Sequence, residues 1–242
     1  IYQNPVWSPD GERIVVVRGP ATNFEDATGT RAFGAAVDLV WIPSNGGDWT
    51  RIAPTEGRTN PHFTADGERI YLNQRGEGLV SIRWDGTDQK AHLQVRGRTA
   101  PGSQNAPTAE WIQMAPVGSS ALAQVGQDLY VVTVPRVGGD TPTVSVANPD
   151  NAIVPVRRLT SIGAQFPAWG RDGNTVHWSI GNAQFVYDIE AAEAAEAAAE
   201  AEAEAEAEAA GTEETEPEAA EGEQEEAEEE EEEPAYEPLE ER

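Results

Sequence analysis

The sequence predicts an all-β fold of repeated four-stranded blades, a β-propeller, followed by an acidic helical and disordered C-terminal tail. Three observations predict it. A unit holding an aromatic residue and an Asp-Gly pair recurs through residues 1–188, apolar residues there follow strand rather than helix periodicity, and the acid of the chain gathers beyond residue 188. The expected organisation is therefore propeller blades over 1–188, an Ala/Glu-rich helix over 189–210 and an acidic disordered linker over 211–242.

The repeat is legible residue by residue. Asn4-Pro5-Val6-Trp7-Ser8-Pro9-Asp10-Gly11-Glu12-Arg13-Ile14 aligns with Asn60-Pro61-His62-Phe63-Thr64-Ala65-Asp66-Gly67-Glu68-Arg69-Ile70. It aligns again with Phe166-Pro167-Ala168-Trp169-Gly170-Arg171-Asp172-Gly173-Asn174-Thr175-Val176. The prolines lie 56 and 106 residues apart, and 106 is twice 53, so a degenerate unit is expected between the second and third copies, opening at Ala109-Glu110-Trp111. That makes about four blades, which is few for a closed ring of roughly four to eight and points to part of a larger one.

Each unit reads as an aromatic-bearing strand followed by three more. In the first, the later strands are expected at Arg13–Arg18, Asp38–Ile42 and Thr50–Ala53, and in the second at Arg69–Asn73, Leu79–Arg83 and Ala91–Val95. The third offers Ala121–Val125, Leu129–Val134 and Val156–Thr160, and the fourth Thr175–Ile180 and Gln184–Asp188, without an outer strand. Asp10, Asp66 and Asp172 read as turn formers. An Asp carboxylate accepts from backbone N–H groups just ahead of it, and the Gly that follows takes a positive φ that a β-carbon would penalise. Their shared place in a repeated turn spreads them around an axis, so they are not expected to converge for acid–base work. The aromatic positions 7, 63, 111 and 169 are expected to be equivalent and to pack between adjacent blades.

Charge and composition narrow the function. Residues 1–188 carry fifteen Lys/Arg against eighteen Asp/Glu, and residues 189–242 one Arg against twenty-five Glu, so nearly all of the net −27 sits in the tail. A near-neutral folded part with no basic stripe argues against nucleic acid as a partner. No run of about 18 apolar residues is present to span a bilayer. With no Cys, disulfides and thiolate metal sites are excluded. The chain opens at Ile1-Tyr2-Gln3 inside an expected strand, which reads as a piece of a longer protein.

Pro-x-Trp-Ser-Pro-Asp-Gly followed by a short apolar strand resembles the WD40-like (PD40-type) repeat of TolB-type propellers. Residues 4–18 match it closely, 61–73 and 167–180 less so, and 107–134 in outline, while Ala65, Gly170 and Arg171 depart from its Ser-Pro. A narrower resemblance joins Val176-His177-Trp178-Ser179-Ile180-Gly181-Asn182-Ala183, Phe185-Val186-Tyr187-Asp188, the Ala/charged stretch and Tyr236-Glu237-Pro238. This order is similar to secreted bacterial amidohydrolases that carry a TolB-like propeller ahead of a metal-dependent barrel. The resemblance implies a periplasmic or secreted protein whose propeller is the scaffold or substrate gate of a larger hydrolase, with residues 189–242 as tether to a C-terminal catalytic domain. A free-standing TolB-like protein–protein interaction module is the alternative.

No catalytic, cofactor-binding or metal site is expected in the chain itself. An amidohydrolase centre needs a His-x-His pair and further ligands converging on one ion, whereas His62, His92 and His177 read as unpaired and in separate units. His-Glu-x-x-His and Gly-x-Ser-x-Gly are absent. The long connections Gly19–Val37 and Arg136–Pro155 are the first places to expect binding groups. From 189 the Ala/Glu composition favours a solvent-exposed helix of about 30 Å, and 211–233 lack the apolar groups to fold.

Overall fold

A computed structural model describes residues 1–19, 37–136, 138–210, 236 and 238–241. Most of the Gly19–Val37 connection and of the acidic run lies outside those residues. The chain folds as four successive antiparallel meanders. Blade 1 holds β1 (Tyr2–Trp7), β2 (Arg13–Arg18), β3 (Asp38–Pro43) and β4 (Thr50–Pro54), and blade 2 holds β5 (Arg58–His62), β6 (Arg69–Gln74), β7 (Gly78–Arg83) and β8 (Lys90–Arg96). Blade 3 is built from β9 (Trp111–Met114), β10 (Ser120–Val125) and β11 (Asp128–Thr133), then β13 (Val156–Arg158) after a detour through β12 (Thr143–Ser145). Blade 4 comprises β14 (Gln165–Trp169), β15 (Thr175–Ile180) and β16 (Ala183–Asp188), and it is completed, after helix α1 (Ile189–Ala210), by β17 (Leu239–Glu241).

The Asp-Gly turns form as their chemistry requires. Asp10 Oδ1 accepts the Glu12 N–H at 2.9 Å, Asp66 Oδ1 that of Glu68 at 3.1 Å and Asp172 Oδ1 that of Asn174 at 3.0 Å. Gly11, Gly67 and Gly173 sit at φ of 72°, 63° and 73°. The Ser8 hydroxyl and the Glu12 N–H hold the Asp10 carboxyl below the usual range, and the Asn174 and Thr175 N–H groups do the same for Asp172. Upstream of each turn the first strand bulges before its proline, at Asn4, Asn60 and Phe166, all near φ 52°. Asn tolerates that backbone readily. Phe166 does not, and its ring stays 85% exposed.

Alternating side chains of each sheet face opposite neighbours, so the core lies between blades. Val15 and Leu39 of blade 1 meet Ile70, Val80 and Ile82 of blade 2. Leu79 and Leu93 meet Ile112, Ala123 and Val132 of blade 3, and Leu122 and Val131 meet Val176, Trp178 and Tyr187 of blade 4. Among the described residues no cluster of this kind joins blade 4 to blade 1.

Four expectations need correction. The third blade is read three residues out of register: Ala115 N–H bonds Ser120 O as Ser8 N–H bonds Arg13 O and Gly170 N–H bonds Thr175 O, so Met114, not Trp111, stands where Trp7 and Trp169 stand. Trp111 pairs with Gln124 in a strand that keeps regular register, without the bulge of the other first strands. The Arg136–Pro155 connection is not simply a free binding loop, because β12 runs parallel to β8 and buries Val144 and Val146 against blade 2. That covers an edge strand which would otherwise present unpaired backbone groups. Blade 4 does have an outer strand: Leu239 pairs with Val186 and Glu241 with Gln184, and the Tyr236 ring packs edge-on against Tyr187 at 5.0 Å. The linker expected over 211–242 therefore does not extend to Leu239–Glu241. Finally, α1 is docked at its start. Asp188 caps it by accepting the Ala191 N–H at 2.9 Å, Ala192 is fully buried in the blade 3–blade 4 core, and Glu196 pairs with Arg157 of blade 3.

Candidate functional site

The seam between blades 2 and 3 concentrates the polar side chains that the fold buries. Asn60-Pro61-His62 begins the second repeat, and its bulge carries His62 into the seam, where it is buried. The ring bridges two blades: Nδ1 donates to the Asn60 carbonyl at 2.8 Å and Nε2 accepts the Met114 N–H at 2.9 Å. Both bonds require the neutral ring. Burial drives its pKa down to about 4, with the Asn60 carbonyl opposing. On the adjacent strand β6, Asn73 Oδ1 accepts the Ile112 N–H at 2.9 Å, again from blade 2 to the first strand of blade 3. At the equivalent position of blade 3, Gln124 Nε2 donates to the Ala164 carbonyl at 3.1 Å. Side chains at this repeat position thus satisfy backbone groups of the next blade.

His92 has a different task. Its Nε2 lies 2.7 Å from Ser81 Oγ, which in turn accepts from Arg69 Nε at 2.7 Å. A serine beside an imidazole is the pairing of an activated nucleophile. Here Ser81 is fully buried, and its oxygen is held by the guanidinium, so the trio braces a sheet. Burial first, then the charges of Arg69 and Lys90, hold the His92 pKa below its ordinary value. Arg69, Arg83 and Lys90 converge on the single carboxylate of Asp88.

The histidines do not occupy three separate units. His62 and His92 both belong to blade 2 and flank the Tyr71 ring, at centroid separations of 5.7 and 5.3 Å, whereas His177 lies on β15. Among the described residues no three His, Asp or Glu side chains gather closely enough to hold a metal ion.

Two clefts open at the seam, on opposite rims. On the rim of the Asp-Gly turns, a cleft of about 420 Å³ lies between Asp66, Tyr71 and His92 of blade 2 and Ser119, Arg136 and Asp140 of blade 3. On the other rim, a cleft of about 580 Å³ is framed by the β4–β5 turn at Gly57, the β6–β7 turn at Gly76 and the β8–β9 connection at Pro107–Glu110. Asn73 lines this larger cleft. The backbone of that rim has no room to spare: a β-carbon on Gly78 would stand 2.2 Å from the Leu93 carbonyl oxygen. Sequence reasoning missed His62 and Asn73 as seam residues. The only signal was polar residues at strand positions where the first repeat carries Val6 and Val17.

Four stacked meanders with their cores between sheets define a β-propeller segment. No family model and no curated protein matches the chain. Its fold is similar to that of an oligogalacturonate lyase in complex with manganese, at 15% identity and TM-score 0.49, over 78% of this chain and 50% of that one. It is similar also to oligogalacturonate lyase from Vibrio parahaemolyticus, at 15% identity and TM-score 0.48, over 78% and 51%. A third similar structure is the putative TolB from Agrobacterium tumefaciens, at 17% identity and TM-score 0.36, over 66% and 60%. The chain spans about half the length of the lyase structures it matches.

Proposed function

We propose that the chain is a non-catalytic propeller segment, scaffold or substrate gate of a larger periplasmic or secreted hydrolase of the metal-dependent amidohydrolase kind. The observation that carries the non-catalytic part is the engagement of its reactive groups in structure. His62 is spent on the Asn60 and Met114 backbone, His92 and Ser81 on each other and Arg69, and the turn aspartates on their own turns. The hydrolase part rests on the order of blade 4, acidic stretch and Tyr236-Glu237-Pro238. Two measurements test the reading. The purified chain is expected to hydrolyse no amide or ester above the buffer rate, and turnover abolished by a chelator would overturn it. The coding sequence flanking the chain is expected to encode a barrel with His-x-His, and its absence on both sides would remove the hydrolase.

A second reading, a free-standing TolB-like protein–protein interaction module, is favoured by β17. Tyr236 and Leu239, which a tether would carry into a following domain, are folded back on blade 4. Because the chain has no Cys, the double variant Val186→Cys/Leu239→Cys isolates this point. An intramolecular disulfide under mild oxidation, seen by mass spectrometry, is expected; its failure to form would return the segment to the tether.

A further inference from the structure

Asn73 lines the larger cleft of the blade 2–blade 3 seam, and among the described residues its side chain carries a hydrogen-bond donor without a partner. Asn73 is 7% exposed. Its amide orientation is fixed, because the Ile112 N–H can only be met by the carbonyl end of the side chain. Nδ2 is then left buried with no partner among the described residues. A buried amide N–H without a partner costs about 1–3 kcal/mol, and native proteins carry few of them, commonly at sites completed by a ligand or a bound water. The equivalent Gln124 in the next seam spends its Nε2 on a carbonyl of blade 4, so the vacancy belongs to this seam and not to the repeat position.

The surroundings define what would fit. Val95, Pro107, Ala109 and Ile112 offer an apolar wall, while Thr59 and Gln94 add short polar groups. A volume of about 580 Å³ lies within the range of roughly 300–1,000 Å³ seen for small-molecule sites, which pair an apolar lining with a few placed polar atoms. We propose that this cleft binds a small acyl-bearing ligand whose carbonyl oxygen accepts the hydrogen bond that Asn73 Nδ2 leaves unmade. The methyl or methylene beside that carbonyl lies against the apolar wall. The inference stands whether the chain serves a hydrolase or an interaction module.

The test is a titration of the ¹⁵N-labelled full chain with N-acetylglycinamide, followed by NMR at the Asn73 side-chain amide and at the backbone amides of Gly57, Gly76 and Gly78. Saturable shifts of all four are expected. Asn73→Asp keeps the acceptor for Ile112 but removes the donor, and is expected to weaken binding at least about tenfold. Should that variant fold poorly, Thr59→Trp, at an exposed position of the same cleft directly opposite Asn73 on the neighbouring strand, narrows the space while keeping the Asn73 amide and is expected to abolish the shifts. No saturable shift in the unmodified chain would overturn the proposal. So would shifts that persist unchanged in the folded variants, or a bound water at Nδ2 that the probe never displaces.

Discussion

Trp7 and Trp169 occupy the same position of the same repeat, one residue before the turn, yet they live in different environments. Trp169 packs into the blade 3–blade 4 core and donates its indole N–H to the Gln113 carbonyl of blade 3 at 3.1 Å. Trp7 is 58% exposed. Met114 and Phe63, at the same position of blades 3 and 2, likewise pack in the core shared with the blade before. The repeat therefore specifies a blade locally, but the preceding blade decides what its aromatic contributes. Positions that face the next blade show the complementary pattern, since Val6 of blade 1 is matched by His62, which bonds backbone on both sides of its seam.

The largest expected effect concerns that histidine. Its folded pKa of about 4 lies below the unfolded value of 6.5, so the folded state prefers the neutral ring. Stability from this group is fully present above pH 6.5 and falls as pH drops from 6.5 through 4, by about 3 kcal/mol in total. Urea denaturation across that window should show this loss in the unmodified chain and a shallower one in His62→Gln. Equal slopes would mean that the imidazole is not the clasp, and would erase the distinction between Val6 and His62. Next in size is the tryptophan pair itself. Trp169→Ala should destabilise by about 2 kcal/mol, through lost burial and an orphaned Gln113 carbonyl, whereas Trp7→Ala should stay within about 0.5 kcal/mol. Similar losses at both positions, measured by the same denaturation, would break the comparison.

Much of this was legible in the sequence, for a physical reason. An Asp-Gly turn is a local device, so the strands on either side of Asp10, Asp66 and Asp172 could be placed from the residues alone. Where the device is missing the register is harder to place: Ala115-Pro116-Val117-Gly118 replaces the Asp-Gly turn in blade 3, and Met114, not the nearby Trp111, fills the aromatic place. β12 and β17 are not legible in the sequence, because unlike the equally short β13 they fall outside the regular spacing of the repeat and exist only through the edge they meet. The seam polar groups were hidden similarly. Nothing in Asn73 or His62 announces a partner 39 or 52 residues away, and only the stacking of blades brings Ile112 and Met114 to them.

The smallest effect tests whether the turns, too, feel the preceding blade. Gly11 and Gly173 share a φ near 72° and the same place in the repeat, so replacing either with Ala should carry the same backbone penalty of about 1 kcal/mol for a left-handed L-residue. Their surroundings differ. A β-carbon on Gly11 would meet nothing within 4 Å, whereas one on Gly173 would stand 2.7 Å from the Val117 carbonyl oxygen in the β9–β10 turn of blade 3. Gly67 is intermediate, at 3.3 Å from the Pro9 ring of blade 1. The expected order of destabilisation is therefore Gly173→Ala, then Gly67→Ala, then Gly11→Ala, with the first exceeding the last by about 1 kcal/mol, because a backbone oxygen in a packed turn yields less than a ring edge. Urea midpoints of the three variants read this directly. If all three fall equally, the penalty is wholly local and the turns are indifferent to their neighbours. The order as stated would show that blades 2 and 4 are positioned by their turns as well as by their cores.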